Sequence, residues 1–293
     1  MKKAQEPTLN GDNIRKIIIV VCAFLALVVA GVMVFRYANQ RAALKKLEEM
    51  AQQTETPQVE VVAETVEEEE PIADETVEEG PMTLEQKLQW YKDTYGIEVP
   101  EKNLDFADLQ ENTNADIYAW IYIPNTKIDY PVLQHPTDNL YYLNYNLDGS
   151  RGYPGCIYTE DYNSKDFSDP LTVMYGHNMK NGSMFANLHL FEDTQFFEDN
   201  PYIYIYLPED VLVYQVFASY PHSDAHLLYG TNYSNSVEFG MYLDEVLSQR
   251  SMNCNLREGV EVTTSDRVLT LSTCIANQAD KRYLVQGVLL DED

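Results

Sequence analysis

Three residues have types and positions suited to acyl-transfer chemistry: Cys274, His177 and Arg282. Cys274 ends the apolar run VLTLSTC, so a strand there delivers its thiol to a sheet rim beside small polar neighbours. A thiolate is a strong nucleophile, but Cys is also among the residues most often buried and inert, and for Cys274 alone both readings stand. Cys156 and Cys254 take the inert reading, and Cys22 falls in an apolar span. His177 ends a second apolar run, within TVMYGHNMKNGSMF. Gly176 permits a close backbone approach there, and Asn178, Asn181 and Gly182 tighten the loop that follows. His is the natural acid and base at neutral pH, although a lone His is more often a structural donor. Arg282 opens the last apolar run, eight residues after Cys274, a spacing that fits a strand, a tight loop and a return beside the Cys. Its fixed, permanently charged donors suit an oxyanion; a surface ion pair is the ordinary use of an Arg in an acid-rich chain.

Ser272 and Thr273 flank the Cys and are candidates for binding substrate backbone, as are Asn178 and Ser183 after the His, unless these two only shape their loop. Asp280 is near enough to Arg282 in sequence to orient it, but reads better as an exposed loop acid, and Glu209 and Asp210 read as solvated. The Cys spacings of 134, 98 and 20 contain no CxxC pair, and no spacing demands Zn²⁺ or Ca²⁺. Neither a metal nor a cofactor is expected.

The elements that must position these residues are mostly strands. Residues 118–123, 127–134, 155–160, 171–177, 202–207, 211–220, 267–274 and 282–291 are rich in Val, Ile and Tyr, and Pro, Asn, Asp or Gly separate them. A helix is predicted over 83–95, capped by Thr83 with Gln86 three residues on, with Leu84, Leu88 and Tyr91 on one face. A second fits 236–249, between the sixth and seventh strands. Eight short strands with little helix predict a mainly β domain, a closed or nearly closed barrel.

Composition divides the chain. Its net charge of −27 argues against nucleic acid and against docking on an anionic membrane surface. Residues 17–35 are 19 uncharged apolar residues, enough for a helix of roughly 28 Å and longer than the apolar part of a signal peptide. An uncleaved anchor follows, with a short tail at 1–16. Its orientation is a tie: Lys2, Lys3, Arg15 and Lys16 precede it, and Arg36, Arg41, Lys45 and Lys46 follow. Residues 36–81 read as a linker; 51–80 hold 11 acidic residues and no Lys or Arg, which predicts an extended, self-repelling stalk. Residues 82–293 are the folded domain, with 12 basic against 32 acidic residues and 21 of the 22 Tyr.

Taken together, the motifs resemble those of the sortases. TLSTC matches the family signature TLxTC, YGHNM its His motif and KRYLVQGVLL its Arg strand, while WIYIPNTKIDYPVLQ is similar to its first two strands. The order His, Cys, Arg is the family's, and the resemblance runs from about 118 to 291. The N-terminal helical extension and the helix near 236–249 look like class B. The resemblance implies an eight-stranded sortase-type barrel and a membrane-anchored cysteine transpeptidase with its N-terminus inside and its domain outside the cell. It implies Cys274 as nucleophile, Arg282 as oxyanion donor, His177 as proton donor and acceptor, and Thr273 at an invariant motif position. It implies partners too: surface proteins with a C-terminal LPxTG-like, NPxTN-like or PPxTG-like sorting motif, and a peptidoglycan amine as acceptor. A pilin-polymerising sortase shares the chemistry, but no segment before the barrel reads as a lid. Two competing functions differ in kind. A hydrolytic cysteine protease would resolve the thioester with water, and a non-catalytic surface-displayed β-domain would make the three motifs a coincidence.

Overall fold

The computed structural model describes residues 11–55 and 82–291. One sheet is built from β1 (Ile117–Tyr122), β2 (Asp129–Leu133), β3 (Ile157–Thr159), β4 (Leu171–Tyr175), β5 (Tyr202–Tyr206), β6 (Val211–Ser223), β7 (Asn255–Leu256), β8 (Val268–Ile275) and β9 (Gln278–Leu289). Eight strands close a ring in the order β5-β1-β2-β3-β4-β8-β9-β6, with β6 pairing back onto β5. The β2–β3 and β4–β8 pairs are parallel and the rest of the ring is antiparallel. The expected eight-stranded barrel is therefore present. The two-residue β7, on the edge of β6, was too short to leave a pattern in sequence.

Side chains alternate between two apolar clusters, as the two-residue period of a strand requires. Met174, Leu269, Leu271, Tyr283 and Val285 point into the barrel with Trp120 and Phe185. Leu171, Val173, Val268, Leu284 and Val288 point outward, under the helix Ser236–Leu247. That helix starts at an Asn235 cap and seals the outer face with Phe239, Leu243 and Val246, spaced four and three apart. Burying each such side chain contributes roughly 1.5–3 kcal/mol. Both faces of β4 and β8 are thus covered, which fixes the rim positions at their ends.

The helix Leu84–Tyr95 has its expected capping box between Thr83 and Gln86 and ends at Gly96, with φ 68°. Its predicted apolar face is corrected: Tyr91 is buried, while Leu84 and Leu88 are exposed. Tyr91 anchors the helix, its hydroxyl donating to Leu290 O at 3.2 Å and accepting from Val213 N–H at 3.2 Å, with Trp90 packed on the core and Lys87 paired with Asp210 at 2.7 Å beside it. Short helices at Phe106–Asn112, Tyr141–Asn144 and Thr194–Asp199, and a 3-10 helix at Phe185–Glu192, were not anticipated. Each is too short for a helical period to show in a window of about 11–18 residues.

The longest helix, Gly11–Thr54, runs 44 residues without a break. Its segment from Ile18 to Phe35 is exposed, apolar and long enough to cross a membrane. Beyond it, residues 36–54 continue the helix, so 51–54, the start of the tract read as extended, are helical instead. The reason is an apolar stripe that the acidic composition masked. Leu44 and Leu47 are buried, Met50 and Ala51 pack on the barrel core, and Asn103 N–H donates to Thr54 O at 2.9 Å. The acidic run 56–81 and the tail 1–10 lie outside the described residues.

Candidate active site

The parallel pairing of β4 with β8 sets the geometry. Tyr175 lies beside Ser272 as the last pair, so each chain leaves the ladder two residues before its reactive candidate, His177 on one strand and Cys274 on the other. Gly176 N–H donates to Ser272 O at 3.2 Å, and Thr273 Oγ1 donates back to Gly176 O at 2.8 Å. Asn178 Nδ2 then donates to Cys274 O at 2.8 Å. Three bonds thus bind the His segment to the Cys segment. Gly176 is required here: a Cβ on it would stand 2.5 Å from Ile157 Cδ1 and 2.7 Å from the Phe185 ring.

On the other edge of β8, Cys274 pairs directly across from Arg282 of β9. Opposite residues of an antiparallel pair project to the same face, about 5 Å apart at Cβ. β9 begins at Gln278, earlier than predicted, so the Cys and the Arg belong to one hairpin. Cys274 is exposed, the first exposed residue after six buried ones. Arg282 Nη1 donates to Ala279 O at 3.0 Å and Lys281 O at 2.9 Å, and no salt bridge engages the guanidinium among the described residues. Asp280 is exposed and makes no ion pair with it.

His177 Nε2 meets the Leu143 carbonyl at 2.8 Å, and Tyr153 stands edge-on 4.9 Å from its ring. Burial pushes its pKa below the ordinary 6.5, while the Leu143 carbonyl, which favours the protonated ring, works the other way. The ring is therefore neutral at neutral pH. With Nε2–H given to the carbonyl, Nδ1 is the free base.

His177, Cys274 and Arg282 line one depression of about 350 Å³ together with Ser272 and Thr273. Its floor holds Glu160, which sequence reading missed: the residue is buried, accepts from Tyr175 Oη at 3.2 Å, and pairs with His226 Nε2 at 2.9 Å. Cys274 and His177 also border a second depression, of about 770 Å³, whose opposite wall is Tyr37, Arg41 and Leu44 of the long helix. A segment that precedes the barrel in sequence thus borders the cleft. One candidate does not face the cleft. Ser183 is buried and ties its own loop, its hydroxyl donating to Asn181 Oδ1 at 2.7 Å. Thr273 spends its hydroxyl on Gly176 O.

Known proteins share this architecture. The sequence profile of the sortase domain matches residues 121–290, more than half of the chain. Sortase B of Listeria monocytogenes is 34% identical over 188 residues, covering 64% of this chain and 74% of the relative. The crystal structure of Clostridium perfringens sortase B is similar at 31% identity and a TM-score of 0.58, over 64% of this chain and all of that one. A Staphylococcus aureus sortase B–substrate complex is similar at 28% identity and a TM-score of 0.57, over 72% and 94%. Barrel, motif order and relatives agree: the chain belongs to the sortase family, with class B relatives, and is a cysteine transpeptidase.

Proposed function

We infer that this sortase cleaves a sorting motif of the LPxTG, NPxTN or PPxTG type at its Thr carbonyl and transfers the acyl group to a peptidoglycan amine. The observation that supports the assignment of roles is the placement of Cys274 opposite Arg282 on one hairpin, with His177 brought alongside by the parallel β4–β8 pair. Cys274 Sγ attacks the carbonyl carbon, and the thiol proton passes to His177 Nδ1. Arg282 faces the developing oxyanion, with a backbone N–H beside Cys274 as its companion. The imidazolium protonates the departing amine, leaving a thioester on Cys274 and a neutral ring. The acceptor amine then attacks, His177 takes its proton, and the thiolate leaves and is reprotonated. A thioester suits this work because it outlasts encounter with water yet yields to an amine. The S. aureus relative is described as a sortase B–substrate complex, which supports a bound substrate for this chain too.

Residues 17–35 act as the anchor, with 1–16 inside the cell, 36–81 joining anchor to domain, and 82–293 as the catalytic domain outside. The test is to incubate the full-length protein with quenched peptides of all three motif types, with and without a Gly or diaminopimelate-type amine, beside Cys274→Ala. An amine-ligated product and a thioester mass on wild-type protein alone support the reading. Hydrolysis alone, whatever amine is offered, makes it a protease. Turnover by Cys274→Ala sinks it.

A further inference from the structure

The nucleophile's own side chain is held by little: among the described residues, none hydrogen-bonds to Cys274 Sγ. Its position therefore depends on its backbone, and β8 loses a neighbour at that residue. Gly176 N–H to Ser272 O is the final rung between β4 and β8. The next carbonyl on that edge is Cys274 O, and the β4 chain has already turned away at His177. Two side chains take the vacated place. Asn178 Nδ2 donates to Cys274 O at 2.8 Å, and His189 Nε2 lies 3.1 Å from the same oxygen. The two partners also meet each other, Asn178 Nδ2 to His189 Nε2 at 2.9 Å.

His189 is itself fixed on all sides. Its Nδ1 is 2.5 Å from Glu192 Oε1, three residues on along the 3-10 helix. The other oxygen, Glu192 Oε2, accepts from Asn253 Nδ2 at 2.8 Å. The ring lies 5.2 Å from that of Tyr283, whose hydroxyl donates to Asn253 O at 3.2 Å. Glu192 can only accept, so Nδ1 carries a proton. In the neutral ring Nε2 is then an acceptor, and it takes one of the two hydrogens of the Asn178 amide. That fixes which end of the amide is nitrogen, and the second hydrogen is aimed at Cys274 O. In the imidazolium, Nε2–H donates to the carbonyl directly. Either way the unit supplies Cys274 O with a donor.

We propose that His189, braced by Glu192, is a positioning residue that acts with Asn178 to hold the backbone of the nucleophile Cys274 in attack geometry. Its ring does not touch the reacting atoms; it replaces a missing rung of the sheet. The proposal rests on Cys274 being the nucleophile, and it gives Asn178 a task other than substrate binding.

The test uses the full-length protein and whichever of the three quenched sorting peptides it cleaves. A misplacement of the order of 1 Å costs up to about a hundredfold, so His189→Ala is expected to lower kcat about tenfold with KM within about twofold. Asn178→Ala should lose a similar factor, and the double variant no more than either single, because both act through one carbonyl. His189→Gln keeps an amide able to serve Asn178 or the carbonyl and should recover most of the loss. Alkylation of Cys274 by iodoacetamide, which needs a thiolate but no attack geometry, should stay within about twofold throughout, and an unchanged melting temperature reports that the domain is folded. An unchanged kcat in His189→Ala, losses that multiply in the double variant, or alkylation falling in parallel with cleavage would each overturn the proposal. Cys274→Ala runs alongside: turnover there refutes the function itself, whereas a dead Cys274→Ala beside a fully active His189→Ala refutes only the positioning.

Discussion

Cys274 stands between two depressions of different construction. The one toward Arg282 belongs to the barrel domain alone: β8, β9, the strand ends around Tyr175 and Glu160, the end of β6 with the segment after it, and Leu140 and Leu143 supply it, and its buried carboxylate is already paired with His226 and Tyr175. The other is half barrel and half visitor. His177 and Tyr153 form one wall, and the helix that begins in the apolar span supplies Tyr37, Arg41 and Leu44 as the other. The first side is pre-organised by the ladder itself. The second is assembled by docking one helix through a narrow apolar stripe. The contrast predicts that substitutions on the barrel side cost more activity than substitutions on the helix side.

The sharpest way to break that comparison is Arg282→Ala. Removing an oxyanion donor typically costs about 10²–10³ in kcat, and acylation should fall by that much with the melting temperature nearly unchanged. Stopped-flow acylation of the quenched peptide decides it, and a loss under fivefold would move the oxyanion elsewhere. Gly176→Ala comes next. Its Cβ would strike Ile157 and Phe185, and overpacking costs about 1–3 kcal/mol; a displaced His177 should also lower kcat more than tenfold. Chemical unfolding and kcat measured on the same sample check both.

The pH profile is a milder probe. The folded pKa of His177 lies below 6.5, so between the two values the unfolded chain holds more protons than the folded one. Stability should therefore fall as pH drops from 6.5 through the folded pKa, and less so in His177→Gln. The acid limb of kcat/KM should have its midpoint below 6.5, and a midpoint above it would contradict the neutral resting ring. The smallest effect belongs to the helix side. Leu44→Ala with Leu47→Ala should loosen the docked helix and change peptide cleavage by less than about threefold, since it leaves the ladder intact. A tenfold change would erase the distinction between the two sides.

What the sequence made legible followed from local pattern. The eight ring strands show as Val-, Ile- and Tyr-rich runs because strands covered on both faces are apolar nearly throughout, and Cys274, His177 and Arg282 show as residues at the ends of such runs. What stayed hidden depends on partners distant in sequence. Nothing in LHLFE tells that His189 meets a carbonyl 85 residues away, although the spacing of His189 and Glu192 on one helical turn is visible. Ser183 looked like a site residue through proximity to His177, but a tight loop spent it locally. Leu84 and Leu88 looked like core because an apolar face is not proof of something to cover it. Residues 51–54 misled in the opposite sense, since the acidic tract they open hid the end of a short apolar stripe.

The unbroken helix Gly11–Thr54 also acts as a ruler. With 17–35 spanning the bilayer as proposed, Arg41 sits six residues past the last apolar residue, about 9 Å further along the axis. That is roughly the depth of one lipid headgroup layer, so the thiol works at the surface of the bilayer and not at the end of a long leash. A membrane-held protein would need to expose only a few extended residues, at about 3.3 Å each, to bring its scissile bond to Cys274. Enzyme and cargo then meet by lateral diffusion in a plane, and their surface density replaces bulk concentration as the quantity that sets the rate.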